Sequence, residues 1–442
     1  TNIPDPAIRK LLGNPDLRAT LQPLFITRFT RQIQLLQPVK DCTIELCLDH
    51  GKIIAGQRTE TISEIELELK SGDPLNLLDF AKELLEKSPC TLRLESINKA
   101  ERGYRLYSDY LPSPCKAGEI SLKPGMPIHS ALKTIMQQCL TQLTRNERGF
   151  LAISSDIEYL HQMRVALRRL RAAFQVFQQI FPGTALLPFI RKELKWLTRQ
   201  LNPARDWDIM VTKTLPQMNA SLPQSTLHLI EKQCQFYRKT HQKHAQASVN
   251  SPRYTRLLIA LCRWLYQIDA PDALFKSDQP RPDVMYKSTK STVASLIAAS
   301  HQKAIEHGKD IATLDAASLH ALRINIKELR YLIEFFHSLF PQNACKQQIV
   351  ALSKLQNVLG TINDCDVTQH LLDEMQIKKQ SKKQSKVINA IHEWTLQRIQ
   401  IQRTALIAAW QDFCDAESKS KPFWEKRAVS YTHLRAHETV LD

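Results

Sequence analysis

The sequence predicts a mainly α chain in which a long, internally duplicated helical part follows a smaller α+β part. Three observations carry this. Residues 128–426 read as amphipathic helix with few glycines and no period-two alternation. Within that stretch, HQMRVALRRLRAAFQVF from His161 and HALRINIKELRYLIEFF from His320 repeat one pattern 159 residues apart. Ahead of it, CTIELCLDHGKIIAG and TISEIELELKSG alternate apolar and polar residues as half-buried strands do.

Taken in order, residues 1–107 mix helix and strand. IRKLLG and LRATLQ read as short helical pieces ahead of LFITRFTRQIQLL. The two alternating segments are expected to pair antiparallel, with a turn at His50-Gly51. PLNLLDFAKELLEKSP has helical spacing, and the Pro-, Ser- and Gly-containing stretch 108–127 is the expected domain linker. The helical part then divides into halves at about 128–270 and 287–426, joined by a linker carrying Pro271, Pro280 and Pro282. KKQSKKQSK at 378–386 reads as a solvated basic loop. The tail 428–442 fits nothing before it. Its SYTHLRAHE resembles a translated sequencing adapter, so it is expected to be non-native, and His433 and His437 are set aside.

The chain has 442 residues and a formal net charge of +16, which favours a polyanionic partner: nucleic acid, anionic membrane or polyphosphate. The charge is uneven: from His161 to Arg205 there are nine Arg or Lys and a single acid, Glu193. No apolar run reaches the ~18–20 residues of a membrane span. No signal peptide is evident, and a start at Thr1 leads us to expect a fragment or processed form. The ten cysteines lack zinc or redox spacing and read as reduced cytoplasmic thiols.

Aligned on the histidines, Arg164 matches Arg323, Arg168 matches Lys327, and Arg171 matches Arg330. At about 100° per residue these positions and His161 or His320 share one arc of about 80°. Met163, Leu167, Leu170 and Phe174, matched by Leu322, Ile326, Leu329 and Ile333, lie roughly opposite. Each helix is therefore expected to bury one face and present a stripe of fixed charge on the other. Arg169 is off the arc and is expected at the surface, while Phe177, Phe335 and Phe336 read as core. Lys192, Lys195 and Arg199 form a further basic face; Ser353 stands where Lys195 would repeat. LNPARDWDIMV (201–211) pairs with LGTINDCDVTQ (359–369), and Asp206 and Asp364 are expected to stabilise a helix start in each half.

Dense guanidinium groups with few exposed aromatics suit a phosphate polymer without bases better than a nucleic acid. The candidate phosphate ligands here are His161, Arg164, Arg168, Arg171, Lys195, Arg199, His320, Arg323, Lys327 and Arg330. No nucleophile with a matched base accompanies them, so this part reads as a binding module.

In SEIELELK, Glu64, Glu66 and Glu68 share one strand face. Two alternatives stand: a solvated carboxylate face, or a face balanced by basic side chains or by a hard divalent cation.

LFITRFTRQ, ELCLDHGKIIAG, EIELELKSG and INKAERGYRL, in that order, resemble the C-terminal half of a CYTH domain. The resemblance implies part of an antiparallel tunnel-like barrel that binds triphosphate with metal, in a family that hydrolyses inorganic triphosphate or handles related substrates. By that resemblance Arg28, Arg31, Lys99 and Arg102 face phosphate, and Glu64, Glu66 and Glu68 hold Mg²⁺ or Mn²⁺. The family's N-terminal Glu-x-Glu-x-Lys strand does not occur here. The expectation is that the chain starts inside the domain and is itself inactive, its parent being a triphosphatase. The two H-x-x-R-x-x-x-[RK]-x-x-R helices resemble the CHAD family, two four-helix-bundle halves around a basic groove. That resemblance implies binding of inorganic polyphosphate, in the cytoplasm or on polyphosphate granules. A non-catalytic polyanion-binding module is the alternative, and nucleic-acid binding ranks last.

Overall fold

The computed structural model describes residues 4–110, 112–152, 156–181, 186–218, 224–268, 287–376, 382–418 and 421–425. The expected linker, from 270 up to 286, and the tail 428–442 lie outside the described residues. In chain order the elements are α1 (Pro6–Leu12), α2 (Pro15–Thr20), β1 (Ile26–Leu36), β2 (Thr43–Ala55), β3 (Arg58–Ser71), α3 (Pro74–Lys87) and α4 (Lys99–Ser108). Then follow α5 (Ile128–Ala152), α6 (Ile157–Ile180), α7 (Leu187–Ile209), a π-helical turn (Met210–Thr214), α8 (Leu215–Met218), α9 (Gln224–Val249) and α10 (Pro252–Gln267). The last are α11 (Thr289–Gly308), α12 (Ala316–Phe336), α13 (Gln342–Gln376) and α14 (Lys382–Ser418). Residues 382–386, expected in a loop, instead open α14. The chain separates into two compact units, 1–114 with 250–263 and 115–249 with 264–442.

In the first unit β1, β2 and β3 form an antiparallel sheet in sequential order. The turn expected at His50-Gly51 is not there: β2 runs unbroken through both residues, and the chain reverses at Gly56, whose φ is +60°. Gly51 instead lies opposite Phe29, where a Cβ would collide with the β1 backbone, so glycine is needed for close approach rather than for turning. Asp73 caps α3 by accepting from the Leu75 N–H at 2.8 Å, and Asn98 caps α4 by accepting from Glu101 N–H at 2.8 Å. α4 packs on all three strands.

In the second unit α5, α6, α7 and α9 make one half and α11 to α14 the other. Asp156 caps α6 through the Glu158 N–H at 2.8 Å, and Asp315 caps α12 through the Ser318 N–H at 2.8 Å. The two caps lie at the same place before the two histidines, so the repeat begins earlier than the basic stripes reveal. Met163, Leu167, Leu170 and Phe174 are buried, as are Leu322, Ile326, Leu329 and Ile333. Each stripe thus sits opposite a fully apolar face. The halves share one core, in which Trp207, Met210, Met218, Ile230 and Cys234 pack with Leu372, Met375, Ile388 and Ile391. All ten cysteines are free thiols. No described helix is long and apolar enough to cross a membrane.

Candidate functional site

The two stripes come together because α6 packs on α12. Gln175 Nε2 donates to Glu328 at 3.4 Å, and Arg169 lies 3.8 Å from Glu334. Arg169, expected at the surface, is buried under the Phe335 ring at 5.3 Å from its centroid. It is a structural cation of the helix pair. Tyr331 is likewise buried, with the Arg330 guanidinium over its ring.

Each stripe is anchored by an amide. Arg164 Nη1 donates to Asn202 Oδ1 at 2.5 Å, and Arg323 Nη1 donates to Asn363 Oδ1 at 3.1 Å. An amide oxygen orients a guanidinium without neutralising it. Asp206 is 4.0 Å from Arg164. Asp206 and Asp364 do not start helices: both lie inside long helices, α7 and α13, and feel each other's charge. Pro203 lies within α7 without ending it. Burial, and then that mutual repulsion, raises the Asp206 carboxyl, and burial raises Asp364 too.

Arg168, Arg171 and Lys327 have no hydrogen-bond or ion-pair partner among the described residues, and the Nε of Arg168 is buried without one. Burial, followed by the charges of Arg323, Arg168, Arg164 and Arg171, pushes the Lys327 ammonium down to about 7. Burial holds Arg164 down to about 10, against the attraction of Asp206. Burial and then Arg205 hold His161 down to about 4, so its imidazole is neutral at pH 7 and offers one N–H donor and one acceptor. His320 is exposed, and Arg330 is 3.2 Å from Glu334, so the C-terminal stripe ends in an acid. Lys195 and Arg199 project into solvent from α7, at helical spacing with Asn202 and Asp206. Neither touches a stripe among the described residues.

In the first unit the carboxylate face is balanced from within. Arg31 donates to Asp49 at 2.7 and 2.6 Å and to Glu66 at 2.5 Å. The Lys99 ammonium stands 2.7 Å from Asp49 and 2.5 Å from Glu66, and pairs with Glu64 as well. Arg102 donates to Glu60 at 2.9 Å and Glu64 at 2.8 Å. These pairings, led by Arg31 on Asp49 and Lys99 on Glu66, hold both carboxyls below their usual range.

Asp49, Glu64 and Glu66 each bring an oxygen within 4.8 Å of the others. Three hard oxygen donors fit Mg²⁺ or Mn²⁺, and an ion held by them would take the place of the Lys99 ammonium. Of the residues expected at this site, Arg31, Lys99, Arg102, Glu64 and Glu66 are brought together. Glu68 is not among them; it lies one pair further along β3, opposite Glu45 and 3.1 Å from Lys70. Arg28 is three residues before Arg31 and leaves β1 from the opposite face, across from Lys52. Asp49 was missed, although the alternation Glu45, Cys47, Asp49 in TIELCLD places it on the carboxylate side. Asn202, Asn363 and Arg205 were missed also, although the matched segments after each basic helix contain all three.

The CHAD domain family matches residues 134–373, and the CYTH domain family matches residues 3–104. An inorganic triphosphatase of Haemophilus influenzae is 45% identical over 91 residues, covering 20% of this chain and 25% of that one. An uncharacterized protein of Mycobacterium tuberculosis is 26% identical over 212 residues, covering 47% of this chain and 39% of the other. The chain thus spans a quarter of the first relative's length and about two fifths of the second's. Among solved structures, the CHAD domain from the plant Ricinus communis is 28% identical with a TM-score of 0.59, covering 68% of this chain and 96% of that one.

Proposed function

The chain belongs to the CHAD domain family, with a CYTH domain match ahead of it, and on that premise we propose that its helical unit is a receptor for inorganic polyphosphate. The observation that carries this is the contrast between the two clusters of charge. In the first unit every cation on the carboxylate face has an acid within ion-pair distance. In the helical unit Arg168, Arg171 and Lys327 have none, while Arg164 and Arg323 are oriented by neutral amides. Arg171 is exposed, but Arg168 and Lys327 are half-buried, and keeping half-buried cations unpaired costs stability that a bound polyanion recovers. Polyphosphate is favoured over nucleic acid because the large aromatics beside the stripes, Phe174, Phe177, Phe335 and Phe336, are buried and offer no surface for base stacking.

The N-terminal unit is of the triphosphatase-like kind, and its substrate in this reading is triphosphate. Asp49, Glu64 and Glu66 would hold Mg²⁺ or Mn²⁺, which when bound neutralises charge on the phosphate oxygens. Arg31, Lys99 and Arg102 are the cations placed to orient that substrate. Polyphosphate held by the helical unit is then a reservoir carried on the same chain as a phosphoanhydride hydrolase.

Competition tests the receptor. Long-chain polyphosphate is expected to displace bound DNA or RNA at matched phosphate concentration, and failure to do so defeats the reading. The double variant Arg168→Ala with Lys327→Ala is expected to lose at least about tenfold in polyphosphate affinity without loss of thermal stability. Unchanged affinity removes the stripes from the site.

A further inference from the structure

Arg205 is only 6% exposed, yet it has no hydrogen-bond or ion-pair partner among the described residues, and its Nη1 is buried without an acceptor. Acids whose charge couples to it include Asp208, Glu158, Asp364 and its chain neighbour Asp206, which stands 4.0 Å from Arg164. Asp208 accepts from Arg238 Nε at 2.7 Å, and Glu158 accepts from Gln162 at 2.6 Å. Asp364 lies on the other half, beside Arg323. The cation is therefore buried among acids committed elsewhere. Its other charged neighbour is Arg168, whose Nε is also buried and unpartnered. His161, neutral at pH 7, completes the group, for Arg205 exerts the largest charge effect upon it.

The second half has no such group. In the matched segments the position of Arg205 is held by Asn363, and that amide is occupied by Arg323. The two halves are thus alike at the level of the stripes and unlike one layer deeper.

We propose that Arg205, with Arg168 and His161, forms an inner subsite for the terminal phosphoryl group of a linear polyphosphate, built in the N-terminal half and not in the C-terminal half. This rests on the reading of the stripes as a polyphosphate receptor. An internal phosphoryl group has two free oxygens and one charge; a terminal one has three free oxygens and up to two charges. Two guanidiniums and an imidazole N–H match the terminal group in donors and in charge. Chains consequently enter with one end fixed in the first half and the remainder running along both stripes.

Linear tripolyphosphate and cyclic trimetaphosphate, which has no terminal phosphoryl group, are the probes. The wild-type chain is expected to bind the linear compound more tightly, and Arg205→Asn, which copies Asn363, is expected to shrink that ratio by about tenfold. Arg199→Asn removes the same charge from the exposed face of α7 and is expected to weaken both probes together, leaving the ratio unchanged. Thermal unfolding of Arg205→Asn is expected at or above the wild-type temperature, since an uncompensated buried cation has gone. A ratio unaltered by Arg205→Asn, or altered equally by Arg199→Asn, overturns the subsite while leaving the receptor reading intact. Failure of the wild-type chain to bind long polyphosphate overturns both.

Discussion

Arg164 is tied to Asn202 by a hydrogen bond of 2.5 Å, from guanidinium to amide oxygen, across the space between α6 and α7. The same bond recurs in the other half between Arg323 and Asn363. Asn202→Asp turns the orienting acceptor into a counter-ion. It is expected to raise the unfolding temperature, by giving a buried cation a partner, and to lower polyphosphate affinity by about tenfold. Calorimetric titration beside thermal denaturation reads both signs, and a variant that binds as well as wild type removes Arg164 from the binding face.

Lys327 sets the pH dependence. Its ammonium falls from an ordinary 10.5 to about 7 in the folded chain, so between those values the unfolded chain binds more protons. Stability is therefore expected to rise with pH across that window. Binding runs the other way: a polyanion favours the charged amine, so affinity declines as pH rises from about 6 to about 9, with proton uptake. Lys327→Arg is expected to bind with little pH dependence in that range. A wild-type affinity that is flat with pH contradicts the assignment.

Asp49 is the keystone acid of the first unit, with a fully buried side chain accepting from Arg31 and Lys99. Asp49→Asn removes a buried counter-ion from Arg31 and Lys99, which keep Glu64 and Glu66, and is expected to destabilise this unit by about 1–2 kcal/mol in chemical denaturation. The Asp49 and Glu66 carboxyls both titrate below their ordinary values of 3.8 and 4.5. Their stabilisation is complete above those values and is lost as pH falls through the lower, folded-state ones. Acid unfolding of this unit is expected to begin below about pH 4 and to shift upward in Glu66→Gln.

Asp49, Glu64 and Glu66 also predict a competition between metal and lysine. Lys99→Met vacates the centre of the three carboxylates and is expected to tighten Mn²⁺ binding by about tenfold, measured by paramagnetic relaxation of water. Weaker Mn²⁺ binding in that variant places the ion elsewhere.

Gly51→Ala is expected to cost more than about 2 kcal/mol, because the added methyl meets the backbone of Arg28 and Phe29. The same change at Gly56, where nothing lies within 4 Å but φ is +60°, is expected to cost about half as much, through backbone strain alone.

The helical phase of the stripes was legible, because a period of 3.6 fixes a face from spacing alone. That spacing placed His161, Arg164, Arg168 and Arg171 opposite Met163, Leu167 and Leu170 before any contact was known. What spacing cannot carry is the partner on another element. Asn202 precedes Asp206 by four residues while Asn363 immediately precedes Asp364, so the two amide anchors fall at unmatched positions in the aligned segments. Asp206 is expected at a helix start, yet α7 passes through it and through Pro203. In the sheet, a turn placed at His50-Gly51 hid the register that sets Asp49 beside Glu64. Arg28 was misplaced although strand alternation alone separates it from Arg31.

One core unites Trp207 and Ile230 with Met375 and Ile391, so the two halves form a single body rather than separate subunits. In a symmetric homodimer every substitution appears twice, so a ligand sees the same surface from either direction. Here two like halves are welded through one interior into a single chain, and each can change alone. Arg205 is matched in the other copy by Asn363, and Arg168 by Lys327. A binding surface built by copying is thereby freed from the symmetry of the copy, and it acquires a head and a tail.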